Sequence, residues 1–249
     1  MRFVLVHGGY HGAWCWERLE PELVALGHSV IAPDLPGCGE RLAEAATLTS
    51  WRGALRDVIT EGDVLVGHSM GGFAISLAAD EVPDKVARLV YLSAAVPVEG
   101  GTMGEATAET VAREWPATVG MPFQDFMEVV EVPNQGLCAR LTKQAAANAL
   151  FYHDCSAMDQ NWAWERLTPL PVAPSLEPFH LPRFWSTPIP RDFVITTDDR
   201  SHTVAMDNLF MKRLGRTTAY SIVSSHSPFL SRPVDTARVL ETCTKGSLD

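Results

Sequence analysis

No stretch of 18 consecutive apolar residues occurs in these 249 residues, so no segment reads as a transmembrane helix. The apolar run behind Met1-Arg2 ends at Val6 and a glycine-rich motif follows at once. That is too short for the core of a secretory signal, and the expectation is a cytoplasmic protein. Basic runs are missing too. The longest is the pair Lys212-Arg213, and 20 Lys and Arg against 30 Asp and Glu give a formal charge of −10. A nucleic-acid binder presents a basic face, so neither a nucleic acid nor a membrane is expected as partner. Cysteine is scarce: Cys15, Cys38, Cys138, Cys155 and Cys243 are odd in number, widely spaced and without a C-x-x-C pair. This excludes a disulfide framework or zinc ribbon and leaves buried thiols. Internal repeats are absent, and 46% apolar with 20% charged residues is ordinary globular composition.

What is present is an alternation. Phe3–Val6, Ser29–Ala32, Asp63–Val66 and Ala87–Leu92 are short apolar runs ended by glycine, proline or polar residues. Between them lie helical spacings over Trp14–Leu26, Trp51–Ile59 and Gly72–Asp80. Strands alternating with helices at this spacing predict an α/β fold with a parallel sheet. The pattern breaks after Pro97. Residues 98–187 read as mainly helical, with helices expected over Glu105–Arg113, Phe123–Val130 and Leu137–Leu150 and no clear strand. Seven prolines between Thr168 and Pro190 predict an extended, stiff stretch. Strand patterns return at Asp192–Thr196 and Thr218–Val223, and a helix closes the chain over Pro233–Thr244. The expected organisation is an α/β core, residues 1–97 and 188–249, interrupted by a helical cap, residues 98–187.

Three motifs carry chemistry. Gly67-His68-Ser69-Met70-Gly71 fits G-x-S-x-G between a strand and a helix, the context of a nucleophile elbow. Ser69 is the candidate nucleophile, and the alternative is a tight turn with an idle serine. His7-Gly8-Gly9-Tyr10-His11-Gly12 follows the first strand. Its Gly9 N–H, with the N–H of Met70, is a candidate oxyanion hole. The loop lacks G-x-G-x-x-G, which argues against dinucleotide binding, and Gly8 replaces the glutamate that an H-E-x-x-H zinc site needs. Ser225-His226-Ser227-Pro228-Phe229 lies on a loop after a strand near the C-terminal end, where the chain order Ser, acid, His places the base. His226 is therefore the candidate base, His68 a packing residue, and His28, His153, His180 and His202 structural or surface residues. The acid that orients the base follows the strand ending at Thr196, as Asp198 or Asp199.

Taken together, His7-Gly8-Gly9-Tyr10-His11-Gly12-Ala13-Trp14, Gly67-His68-Ser69-Met70-Gly71-Gly72, the late Asp and His motifs and Phe151-Tyr-His-Asp-Cys155 resemble the α/β-hydrolase superfamily. More narrowly, they resemble its branch of plant methyl-salicylate and methyl-jasmonate esterases and α-hydroxynitrile lyases, with bacterial relatives. The resemblance implies an α/β-hydrolase fold, a mostly parallel sheet flanked by helices with an inserted cap, no metal and no organic cofactor. It also implies an assembly that is often a homodimer. Among the two candidates for the acid it selects Asp199, because the family acid is usually followed by a basic residue, here Arg200. Two positions depart from the lyases: Gly8 stands where they have threonine, and Ser227 where they have lysine.

The function expected is that of a serine hydrolase acting on a small, largely apolar carboxylic ester or lactone through Ser69, His226 and Asp199. The alternatives are a lyase of the hydroxynitrile type, a tailoring esterase or cyclase of a biosynthetic pathway, and a ligand receptor on the same scaffold.

Overall fold

The computed structural model describes residues 1–245. Six parallel strands form its centre: β1 (Arg2–Val6), β2 (Ser29–Ile31), β3 (Asp63–His68), β4 (Val86–Leu92), β8 (Arg191–Thr196) and β9 (Thr218–Ile222), in the order β2-β1-β3-β4-β8-β9. Strand residues alternate between two apolar clusters. Val4, Val6, Leu65, Leu89, Tyr91 and Phe193 face one side, and Phe3, Leu5, Val64, Val66, Val90 and Val194 the other. Burial on both faces is why these strands read as unbroken apolar runs. The helices Leu48–Val58, Gly71–Glu81 and Val204–Leu214 cover the first face, and Glu20–Ala25 and Pro233–Lys245 the second. The helix Val204–Leu214 was not foreseen from the sequence. The stretch expected as one helix over Trp14–Leu26 is a 3-10 turn, Ala13–Trp16, followed by the short helix Glu20–Ala25.

Strand order reverses between β1 and β3, because the chain leaves β1 for β2 on one side and returns through β3 on the other. The loops after β1 and β3 therefore diverge from a common crevice, the usual ligand site of such sheets. Close packing holds this crevice. A side-chain carbon added at Gly71 would come within 2.4 Å of Val6 O, and one at Gly72 within 2.2 Å of Ala95 O.

The segment between β4 and β8 differs from the helical cap expected. It begins with the helix Met103–Val119, opened by a Thr102/Glu105 capping box. Strands β5 (Met127–Val132), β6 (Gly136–Leu141) and β7 (Leu170–Pro171) then form an antiparallel sheet, order β5-β6-β7. The expected helices over Phe123–Val130 and Leu137–Leu150 are thus each divided: Phe123–Phe126 is one helical turn, and only Gln144–Phe151 of the second is helix. The physical reason is the turn between them. Pro133 ends β5, and Asn134 (φ 66°) and Gly136 (φ 72°) take the left-handed backbone that reverses the chain, so Glu-Val-Val-Glu-Val pairs instead of coiling. The proline-dense stretch is not uniformly extended either. It contributes β7 and the helical turns Ala173–Leu176 and Pro182–Ser186, and its Phe179, Leu181 and Phe184 join the cluster on the first face of the main sheet.

Among the described residues no helix is long and apolar enough to cross a membrane. All five cysteines are free thiols, four of them buried and Cys155 half-buried. The packing at Gly72 yields a direct test. Because the obstacle is backbone rather than a flexible side chain, Gly72→Ala should lower stability by about 3 kcal/mol. The measurement is the urea midpoint, which should fall at an unchanged slope.

Candidate active site

Ser69 occupies the turn between β3 and the helix Gly71–Glu81, at φ 52°. A residue with a side chain enters this left-handed region at a cost and stays only where its surroundings hold it. Here Ser69 N–H donates to Leu92 O (3.3 Å), and Ser69 O accepts from Gly72 N (3.1 Å) and Ala95 N (3.0 Å). The helix that starts two residues later adds the partial positive charge of its N-terminus.

The loop after β1 is braced by two histidines. His7 Nδ1–H donates to Gly8 O (2.9 Å) while its Nε2 accepts from Leu35 N–H (3.1 Å). His11 Nδ1–H donates to Gly9 O (2.7 Å) while its Nε2 accepts from the Tyr152 hydroxyl (2.6 Å). Both rings are buried with each nitrogen committed, and burial is what keeps them neutral, lowering His7 and taking His11 down to about 3. Among the described residues neither Gly9 N–H nor Met70 N–H donates to another group, and both residues line the same cavity as Ser69.

Of the two candidate acids, Asp199 meets the histidine: His226 Nδ1–H donates to Asp199 Oδ2 at 2.6 Å. The same carboxylate accepts from Ser93 Oγ (2.7 Å), Thr196 Oγ1 (2.8 Å), Ser201 N (2.7 Å) and His202 N (2.8 Å). Burial by itself would raise this carboxyl, but the His226 contact and the other donors outweigh it and hold Asp199 at about 2. Asp198 points away, with a side chain 61% exposed, and its backbone carbonyl accepts from His153 Nε2–H at 2.8 Å. Ser69 and His226 line one cavity, and among the described residues no hydrogen bond joins them.

The cavity holds about 570 Å³ under the inserted segment. Trp115, Phe123 and Phe151 of the insertion line it, opposite Trp51, Phe73 and Met70 of the core. Phe126, Phe179 and Phe184 are fully buried packing residues instead. Among the described residues no group of three His, Cys, Asp or Glu side chains is arranged to hold a metal ion.

A family model described as the alpha/beta hydrolase family matches residues 3–239. The chain belongs to the alpha/beta hydrolase family. Over an alignment of 251 residues it is 30% identical to polyneuridine aldehyde esterase of Rauvolfia serpentina, covering 96% of this chain and 93% of that one. It is 42% identical over 123 residues to Esterase PIR7B of Oryza sativa subsp. japonica, 46% of each chain. The matched stretch thus spans about half the length of the rice esterases. The crystal structure of polyneuridine aldehyde esterase resembles this one with a TM-score of 0.82 at 25% identity over 98% of both chains.

Two features of this site are not legible in the sequence. His202, expected to be structural or on the surface, lines the cavity with its ring centroid 5.0 Å from that of His226, and burial takes it down to about 3. The second is a strap. Residues 151–154 touch the loops after β1, β8 and β9: Phe151 O accepts from Ser225 Oγ (3.0 Å), Tyr152 holds His11, His153 holds Asp198 O, and Asp154 Oδ2 accepts from Ser225 N (3.0 Å). No spacing rule predicts either, because both partners of each contact lie far apart in sequence.

The Asp199 carboxylate also makes stability depend on pH. Its folded value of about 2 lies below the roughly 3.9 of an unfolded aspartate. The stabilisation is thus present above the unfolded value and lost as pH falls through the folded one. The stability gap between the native protein and Asp199→Asn should shrink by about 2 kcal/mol between about pH 5 and about pH 2. Urea midpoints of both proteins across that range measure it.

Proposed function

We propose that the protein is a serine hydrolase that cleaves a small, uncharged, largely apolar carboxylic ester or lactone through an acyl-enzyme on Ser69. The observation that carries this reading is the buried 2.6 Å contact between His226 and Asp199, beside a serine and two unengaged amides on one apolar cavity. The esterase names of the relatives support it.

The chemistry follows from these groups. Asp199 fixes the tautomer with the proton on His226 Nδ1, so Nε2 is the basic nitrogen. Nε2 takes the Ser69 hydroxyl proton as Oγ bonds to the ester carbonyl carbon. The carbonyl oxygen gains the negative charge, which the Gly9 and Met70 N–H groups stabilise. Collapse breaks the bond to the alcohol oxygen, and His226 returns its proton to that oxygen. Water then adds to the acyl group, giving its proton to Nε2, and the acid leaves as Ser69 regains its hydrogen.

Gly8 and Ser227 favour hydrolysis over carbon–carbon cleavage. A side-chain carbon at Gly8 would lie 2.9 Å from both Ser69 Cβ and His68 Nδ1, so this loop has no room for the hydroxyl of a threonine. Ser227 is buried and brings no positive charge to hold a leaving anion.

An active-serine phosphonate should label Ser69 alone, and Ser69→Ala should lose turnover by about a thousandfold or more with the fold intact. Labelling at a different serine, or an alanine variant that keeps its activity, would overturn the assignment. Release of aldehyde and cyanide from a cyanohydrin without turnover of any ester would move the reading to the lyase.

Among the described residues the cavity wall contains no Lys, Arg, Asp or Glu, and burial keeps its His11, His68 and His202 neutral. A charge brought into it loses water without finding a partner, at a cost of several kcal/mol. An ester carrying a carboxylate on its acyl group should therefore show kcat/KM at least about a hundredfold below its neutral isostere. Paired kinetics on two such esters measure this.

A further inference from the structure

A second buried carboxyl group lies behind Asp199, and the mechanism above does not use it. Asp207 is in the helix Val204–Leu214, and its side chain is fully buried. Its Oδ2 lies 3.3 Å from Ser93 Oγ. That hydroxyl is also 2.7 Å from Asp199 Oδ2 and 2.8 Å from Thr196 Oγ1. The other oxygen, Oδ1, has no hydrogen-bond partner and faces His202 Nδ1, also unpartnered, at 3.9 Å.

The protons can be counted. A serine hydroxyl carries one. The shorter contact assigns the Ser93 proton to Asp199. Asp207 Oδ2 then faces the lone pairs of the Ser93 oxygen, oxygen against oxygen. A proton on Asp207 turns that contact into a hydrogen bond and completes a chain from Asp207 through Ser93 to Asp199. The titratable groups that face Asp207 are Asp199 and His202, both on the loop after β8; Ser93, after β4, brings only its hydroxyl. Neither supplies a positive charge, since Asp199 is an anion and burial keeps His202 neutral. On its own helix, Arg213 is turned to Val96 O, and among the described residues no backbone amide reaches the Asp207 carboxyl.

We propose that Asp207 is a neutral carboxylic acid that donates through Ser93 to Asp199, a positioning residue that holds the single negative charge of the site on the oxygen facing His226. The inference rests on the reading of Asp199 and His226 as the working pair. Burial first, and the nearby Asp199 charge second, agree with it, since both push the Asp207 carboxyl well above the usual range. A second anion at this position would instead tighten the hold on the His226 proton and move the acid limb of kcat/KM upward.

The test combines infrared spectroscopy with kinetics. The native protein should show a protonated-carboxyl C=O band at neutral pH that disappears in Asp207→Asn. That variant keeps a neutral donor for Ser93, so the acid limb of kcat/KM should stay within about 0.3 pH unit and kcat within about threefold. Asp207→Leu removes the donor; kcat should fall about tenfold at unchanged KM, with the acid limb displaced. The proposal is overturned if no such band is lost, or if the leucine variant matches the native enzyme. It is equally overturned if the asparagine variant moves the acid limb down by about one unit or more, as removal of an anion or of an ion pair with His202 would. Should Asp207→Leu not fold, the band and the asparagine profile still decide. The band is independent of turnover, so failure here is distinguishable from failure of the ester-hydrolysis reading, which Ser69→Ala tests.

Discussion

Three neighbouring strands of the central sheet run into residues with left-handed backbone: Tyr10 (φ 66°) after β1, Ser69 (φ 52°) after β3 and Ser93 (φ 42°) after β4. None is glycine, so each stores about 1–3 kcal/mol that its surroundings must offset. Those surroundings are the closely packed strand ends where strand order reverses. The turn at Ser69 is held from β4 by Leu92 O and Ala95 N, and the helix behind it lies against Val6 O with no room for a side chain at Gly71. The unengaged amides, the raised serine and the Ser93 hydroxyl between two carboxyl groups all follow from how these strands end. An edge strand could not impose this, because it is pinned on one side only.

Electrostatics follows from the same burial. The site gathers His7, His11, His68, His202 and His226 around one another, an arrangement that would repel itself if the rings were charged. Burial is the leading cause that lowers His7, His11, His68 and His202. Two of the neutral rings serve as braces: His7 and His11 each give a proton on one side and accept on the other around the Gly8-Gly9 turn. Of the two buried carboxyl groups beside Ser93, Asp199 has the fuller set of donors, which is why its charge is the cheaper one here.

The sequence made legible what is local. Strand runs, the G-x-S-x-G turn and the glycine loop depend on residues within a few positions of each other, and they fall where expected. The main errors lie in the insertion. Met127–Val132 and Gly136–Leu141 contain helix-compatible apolar spacings, and the turn that pairs them rests on the left-handed backbone of Asn134 and Gly136. Strand geometry alone could not separate Asp198 from Asp199, since adjacent residues on a loop differ only by how the loop is held. Here Thr196 and Ser93 draw Asp199 inward while His153 fixes the Asp198 carbonyl. The sequence leaves His202 as structural or on the surface, because a buried, neutral histidine and a solvated one look alike there.

The insertion does more than roof the cavity. Residues 151–154 tie the loop after β1 through His11, the loop after β8 through Asp198, and the loop after β9 through Ser225. Phe151 in the same strap also faces the cavity, with its ring 5.8 Å from that of His226. A displacement of this strap therefore cannot change the cavity wall alone: it moves a cavity-facing ring together with contacts that hold the loops after β1, β8 and β9. Cavity shape and the registry of these three loops are in this way one mechanical variable. Substitutions under the strap accordingly disturb these loops as well as the cavity wall, and so do those at Trp115, whose Nε1–H donates to Ser201 O (3.3 Å) on the loop after β8, whereas Phe123 lines the wall without such a contact.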